Sequence, residues 1–417
     1  MRRRRSSHIG FFLFILILLS CIGVLILKGP DFSKRLGISD AGIQNSDAVR
    51  QLRSFLKLDP EEVTTLRKAE IVPTDPGHQE YYFGLLSDSE KRIYREILSG
   101  VRAFREKFYL TTSDEDTITK VFNAVTRDHP EAYWVHNTMN VYTTTYGGAD
   151  YCEFSPGYSF TQEQIRQIDA VIEQSYQDLC AGIPEGASDY DKVLAAYTWI
   201  VDRTDYVFND CDQNIAGVFW KKQAVCAGYA GALQYFLERM NIPCIYVEGD
   251  TRGSTDGHAW CIVTLNGQYY IADPTNADQP DFLQGDFAQL AEHKTTIVDY
   301  LCPFPEEYGA VYTPNSRFPV PTCTARDLNF YALNNACFDV YTWQSVYDLT
   351  KLRIDNNAAV IRFKFSNREA YEQAYAEWVN GDGAGETAQY YMRSHGITTV
   401  SYHCGAIENL NTIYLIF

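Results

Sequence analysis

Several features that would settle the chemistry at once are missing. The 417 residues include eleven cysteines but no CxxC pair, and no Cys/His group at zinc-ligand spacing. A structural zinc site is therefore not written in the chain. Nor does a chain this long need a disulfide framework in place of a core. It also lacks a calcium-loop pattern, internal repeats and low-complexity tracts. Positive charge is scarce, with 36 Lys and Arg against 53 Asp and Glu, a net −17 at pH 7. Five of the positive side chains, Arg2 to Arg5 and Lys28, stand in the first 28 residues with no acidic one among them, which leaves −22 on the rest. Such a field repels phosphate backbones, so nucleic acid is disfavoured as a partner.

Charge is absent altogether from Ile9 to Leu27. As a helix that run spans about 28 Å, enough to cross the hydrocarbon layer, and it is longer than the apolar core of a cleavable signal peptide. It predicts an uncleaved anchor. The preceding arginines predict a cytoplasmic N-terminus, with everything after Lys28 outside the cytoplasm. Leu18-Leu19-Ser20-Cys21 faintly resembles a lipoprotein box, which makes lipidation at Cys21 the alternative.

Five segments are expected. Residues 1–28 form the Arg cluster and anchor, and 29–86 a stalk punctuated by Gly42, Pro60, Pro73 and Pro76. Residues 87–187 are helix-rich, 188–310 hold a core, and 311–417 form a small α+β domain behind Pro314, Pro319 and Pro321. Capping boxes at Ser87/Glu90 and Thr161/Gln164, and Ser188 with Asp191, mark three helix starts. Ile93, Ile97, Val101 and Phe104 make one buried stripe, and Ile118, Val121, Phe122 and Val125 another over 116–126. Strands are expected at 133–135 and 141–146, separated by polar turns. Tyr142, Tyr146, Tyr151 and Tyr158 read as strand faces rather than a binding groove. In the tail, 360–365 alternates as a strand, Ser366 is expected to cap a helix through Tyr371, Tyr375 and Trp378, and 411–417 is a last strand.

The most informative residues are Cys226, His258 and Asp273. Val225-Cys226-Ala227-Gly228-Tyr229 opens a helical pattern through Ala230, Leu233, Leu237 and Met240, stopped at Asn241 and Pro243. A thiol in the first turn meets the positive end of the helix dipole, which favours thiolate. Gly228, Ala230 and Gly231 keep that turn slim enough for another backbone to pack against it. His258 to Leu265 alternates as a strand, Asn266-Gly267 is a two-residue hairpin turn, and Gln268 to Asp273 returns. With Leu265 facing Gln268, paired numbers sum to 533, so Trp260 opposes Asp273 and His258 opposes Thr275. Asp273 is then the diagonal neighbour of His258, within side-chain reach. The carboxylate can orient the imidazole, and the imidazole can take the thiol proton.

At these residues the chain resembles the transglutaminase-like superfamily, relatives of the papain-type cysteine proteases. The resemblance lies in VCAGYAGALQYFLERMNIPCIYVEG and GHAWCIVTLNGQYYIADPTN, over about 188–280. It implies an α+β fold in which the helix carrying Cys226 packs on an antiparallel sheet carrying His258 and Asp273. It also implies that Cys226 is the nucleophile, His258 the base and Asp273 its orienting acid. Cys261 departs from the family, which commonly has Asn after that Trp. By alternation it points away from the His258 face.

The reaction so implied is thiolate attack on an amide carbonyl of a protein or peptide, giving a thioester that an amine or water resolves. The Cys226 N–H supplies one oxyanion donor, and Gln223, Trp220 and Tyr206 are candidates for the second. No cofactor is required. The alternative reading is a catalytically idle module that keeps the fold for binding or scaffolding in the cell envelope. With Cys226 free, the other nine cysteines beyond the anchor cannot all pair, so buried thiols with one or two bridges are expected.

Overall fold

The computed structural model describes residues 80–146, 149–251, 257–278, 297–315 and 317–417. The arginine cluster, the Ile9–Leu27 run, Cys21 and residues 29–79 of the expected stalk lie outside them. No helix among the described residues is long and apolar enough to cross a membrane.

Two compact units emerge. The described part of the first comprises 106–115, 140–146 and 149–155. Its sheet has the order β1-β3-β2, with β1 (Phe108–Leu110) antiparallel to β3 (Ala149–Tyr158) and Phe108 opposite Phe154. Strand β2 runs unbroken over Val135–Tyr146. The polar stretch at 136–140 is therefore strand and not the turn expected, because its backbone groups pair within a sheet that leaves those side chains outside. Tyr142 is 61% exposed on it.

The second unit holds the remaining described residues. The three expected caps form as full capping boxes, at Ser87 for α1 (Asp88–Arg102), Thr161 for α3 (Gln162–Ala181) and Ser188 for α4 (Asp189–Val201). Helix α2 (Glu115–Asp128) buries Ile118, Val121, Phe122 and Val125 as its spacing predicts. Phe104 falls outside α1, at a positive φ of 53°.

The centre of this unit is α5 (Cys226–Arg239) packed on a four-stranded sheet of order β8-β7-β6-β9. Its strands are β6 (Cys244–Thr251), β7 (His258–Leu265), β8 (Gln268–Ala272) and β9 (Tyr312–Pro314), all antiparallel to their neighbours. The apolar face of α5 is covered by Trp199 of α4 and by Phe219, whose rings lie 5.2 and 4.9 Å from that of Phe236. Cys261, wholly buried, donates its S–H to the Ala230 carbonyl at 3.2 Å and so ties β7 to the middle of α5.

The hairpin register runs from Leu265↔Gln268 to Cys261↔Ala272, every pair summing to 533. Asn266 and Gly267 both take positive φ, as a tight two-residue hairpin requires. Beyond Ala272 the expected pairings of Trp260 with Asp273 and of His258 with Thr275 do not form. The Asp273 N–H turns to the Tyr300 carbonyl at 3.0 Å, and Pro274 opens the short helix α6 (Pro274–Asp278). Proline has no N–H for a ladder and suits a first helical turn.

Residues 337–416 build a second sheet, β10-β11-β13-β12, from β10 (Cys337–Phe338), β11 (Val360–Phe365), β12 (His403–Ile407) and β13 (Thr412–Ile416). Helices α7 (Trp343–Asp355), α8 (Arg368–Trp378) and α9 (Gly383–His395) accompany it around Phe363, Trp378, Ile413 and Leu415. The cap of α8 is Asn367, not Ser366. Its side chain accepts from the Ala370 N–H at 2.9 Å, the same chemistry one residue later. Fully buried Lys364 on β11 donates to Glu307 and to the Leu410 carbonyl. Asp299 lies 3.7 Å from it and accepts from Tyr331 and Thr412.

All ten described cysteines are free thiols, so the one or two bridges expected do not form among them.

Candidate active site

The thiol is positioned by what its helix lacks. Val225, the residue before α5, is extended and offers no side-chain cap, so the first-turn amides stay open beside Cys226. The Val225 N–H is held by the Asp212 carbonyl at 3.1 Å, and a Cβ on Gly228 would stand 2.6 Å from that same oxygen. Only glycine admits the 212–214 backbone against the helix start. A Cβ on Gly231 would meet just a methyl of Ile215, at 3.3 Å.

His258 is the first residue of β7, opposite Gly249 of β6. Helix α5 covers the Cys261 face of the sheet, so its N-terminus reaches the strand end where His258 stands, and the Cys226 thiol lies beside the imidazole. The other side of the ring belongs to Asp273, with Nε2 to Oδ2 at 2.8 Å. Nδ1 is thereby left free of the carboxylate. Burial disfavours a charged imidazole, but the adjacent Asp273 carboxylate and then Cys226 outweigh it and lift the His258 pKa to about 10.

Asp273 is wholly buried and surrounded by donors. Its Oδ1 accepts from the N–H groups of Thr275 and Asn276 at 3.0 and 3.2 Å. Its Oδ2 accepts from His258, from Asn276 Nδ2 at 2.8 Å and from the Tyr312 hydroxyl at 2.7 Å. Tyr197 of α4 donates to its main-chain carbonyl at 3.2 Å. Cys226, His258 and Asp273 thus meet at one site, the imidazole bonded to the carboxylate and neighboured by the thiol.

The relay opens into a cleft of about 860 Å³ walled by Tyr206, Phe208, Gln213, Glu248, Asp250 and Thr313 among others. Phe208 is 76% exposed there, its ring edge-on to Tyr206 at 6.1 Å and otherwise facing the opening. Of the three expected oxyanion side chains, only Tyr206 lines this cleft. Its phenol is pushed up by burial and then by the neighbouring Cys226 charge, so it remains a donor. Gln223 sits in the short strand β5 (Gln223–Ala224), beside β4 (Asp205–Tyr206), and its carbonyl accepts from Asn209. Trp220 packs edge-on against Phe160 at 6.2 Å with Lys221 above its ring. Neither lines the cleft. Gln213, which the sequence did not single out, lines the cleft instead. Thirteen residues upstream and in a loop, it has no periodic signal. Tyr312 and Asn276 were missed too.

The family model described as the transglutaminase-like superfamily matches residues 177–274. No curated protein matches the chain. Among solved structures, a TGase crystal structure is similar at 15% identity and a TM-score of 0.26, covering 41% of this chain and 52% of its own. A protein from Cytophaga hutchinsonii, provisionally described as a cysteine protease, is similar at 16% identity and a TM-score of 0.22, covering 34% and 63%. The chain thus spans between about half and two thirds of the length of these two structures. The stretch that carries Cys226, His258 and Asp273 is a domain of the transglutaminase-like superfamily.

Proposed function

We propose that this chain is a cysteine enzyme that acts on amide bonds of protein or peptide substrates through a Cys226 thioester. One observation carries the reading: a half-buried thiol at an uncapped helix start sits beside an imidazole whose Nε2 rests on a buried carboxylate. An imidazole lifted to about 10 is charged at neutral pH and keeps its proton ready for a leaving amine.

The thiolate attacks the carbonyl carbon, forming the C–S bond, and the oxyanion is received by the Cys226 N–H with Tyr206 or Gln213 beside it. The C–N bond then breaks, and the His258 proton goes to the departing nitrogen. An amine or water next attacks the thioester and gives its proton to His258. The C–S bond breaks, and the thiolate returns. Exposed Phe208 and the open cleft suit an extended polypeptide, whose apolar side chains would cover that ring.

We also place the enzyme outside the cytoplasm, held by a helix over Ile9–Leu27, on the strength of the Arg2–Arg5 cluster and the uncharged run. The reaction is tested by incubating the full-length chain with a glutamine-containing peptide, with and without a fluorescent primary amine, and analysing protein and peptide by mass spectrometry. An acyl adduct on Cys226, with an amine-labelled or hydrolysed peptide, is expected. A panel of such peptides giving neither adduct nor product would instead favour an idle binding module.

A further inference from the structure

We propose that Tyr312 and Asn276 are positioning residues that together lock the Asp273 carboxylate and the His258 ring into the reactive arrangement. This rests on the reading of Cys226, His258 and Asp273 as a catalytic relay. Both residues stand beyond the stretch that matches the superfamily, so the acid of the relay is completed from elsewhere in the chain.

The geometry closes on itself. The Tyr312 hydroxyl donates to Asp273 Oδ2 at 2.7 Å, and Asn276 Nδ2 donates both to that oxygen at 2.8 Å and to the Tyr312 hydroxyl at 3.2 Å. The Tyr312 ring lies 5.0 Å from Trp260 and 6.3 Å from His258, centroid to centroid. One side chain thus holds the carboxylate with its tip and flanks the imidazole with its face. Tyr312 reaches this place because β9 pairs closely with β6. Gly249 makes room, since a Cβ there would stand 2.8 Å from Pro314 Cα and from the Trp260 ring.

The consequence is electrostatic as well as steric. Donors to an ionised carboxylate favour that form, and an ionised Asp273 keeps His258 charged. Burial and the nearby Asp273 charge push the Tyr312 phenol far up, so it stays a donor throughout the working range. The other ionisable groups around the pair are Cys226 on α5, Tyr197 on α4, Tyr206 on β4, Tyr300, Tyr308 stacked on the Tyr312 ring, and Tyr246, Glu248 and Asp250 on β6. They are unchanged in the variants below, so a shift reports the altered donor.

The test is the second-order rate of Cys226 alkylation by iodoacetamide from pH 4 to 10, in the full-length chain, for wild type, Tyr312→Phe and Asn276→Ala. Tyr312→Phe keeps the ring and removes one donor. It is expected to lower the rate at pH 7 about tenfold and to move the acidic limb up by about one pH unit. Asn276→Ala should move that limb in the same direction by less. It also serves as the measurement if Tyr312→Phe does not fold. A purely structural role would change thermal stability with the limb in place, and that result overturns the proposal. A slow wild-type Cys226 would instead overturn the catalytic reading on which it rests.

Discussion

Gly228 and Asp212 are in contact through a gap that no side chain fits: a Cβ on the glycine would stand 2.6 Å from the Asp212 carbonyl oxygen. That oxygen also holds the Val225 N–H, one residue before the thiol. Gly228→Ala must therefore move either the helix start or the 212–214 loop. A loss of about 1–3 kcal/mol in urea unfolding is expected, as for other overpacked sites, with Cys226 alkylated at least tenfold more slowly. Gly231→Ala, which meets only a methyl at 3.3 Å, should cost under about 1 kcal/mol and leave the rate near wild type. Equal behaviour of the two variants would show that the close approach does not set the thiol.

Asp273→Asn is close to isosteric but not neutral. Two backbone N–H groups fix which carboxylate oxygen stays put, so the new NH₂ would face donors from His258, Asn276 and Tyr312. A stability loss of about 1–3 kcal/mol and a fall in acyl transfer of several orders of magnitude are expected. Unfolding curves and turnover of a peptide substrate check the two halves separately.

The raised pKa of His258 gives stability a direction with pH. Its folded value of about 10 lies above the ordinary 6.5 of an unfolded chain, so its contribution is complete below about 6.5 and lost as pH rises toward 10. The difference in unfolding free energy between wild type and His258→Gln should therefore shrink across that window. Taking a difference matters, because buried Asp128, lifted to about 7 by desolvation, and Glu238, lifted to about 9 for the same reason, add pH dependence of their own. A difference that grows with pH would mean that His258 is neutral when folded.

Lys364 is wholly buried with Glu307 and Asp299 as neighbours. Lys364→Ala would leave buried Asp299 and part-buried Glu307 without their cation, at a cost of about 3–5 kcal/mol. Lys364→Met together with Glu307→Leu should recover part of it. Chemical denaturation of the three chains tests whether this network joins the second sheet to the residues before it. Equal stability of all three would show that it does not.

How much was legible follows from how local each signal is. Cys226, His258 and Asp273 could be brought together because a helix start, an Asn-Gly turn and a period-two strand each act over a few residues, and the hairpin register then does the rest. The same arithmetic failed one step past Ala272, where Pro274 takes the chain out of the ladder. Tyr312 was invisible for the opposite reason. It reaches Asp273 from 39 residues downstream through a three-residue strand, and no pattern in the sequence records that pairing. Trp220 and Gln223 were plausible by proximity to Cys226 in the chain, yet they lie in a π-helical turn and a short strand that do not line the cleft, while Gln213 arrives by the loop that Gly228 admits.

Topology is tested by adding a membrane-impermeant protease to intact cells or protoplasts. The Arg2–Arg5 cluster before Ile9–Leu27 predicts digestion of everything after Lys28. Protection of that part would refute the orientation, and a mature chain beginning at Cys21 would favour lipidation.

The most direct test of the central claim compares thiols within one molecule. Cys180 is exposed and Cys226 only half-exposed, so simple access predicts that Cys180 reacts first. The relay predicts the reverse, because thiolate and not exposure limits alkylation. The full-length chain is treated with limiting iodoacetamide at pH 7, and labelling of every cysteine is followed over time by peptide mapping. Cys226 should be modified fastest and should slow at least tenfold in His258→Ala. Labelling of Cys226 no faster than Cys180, or at the same rate with and without the imidazole, would contradict the account.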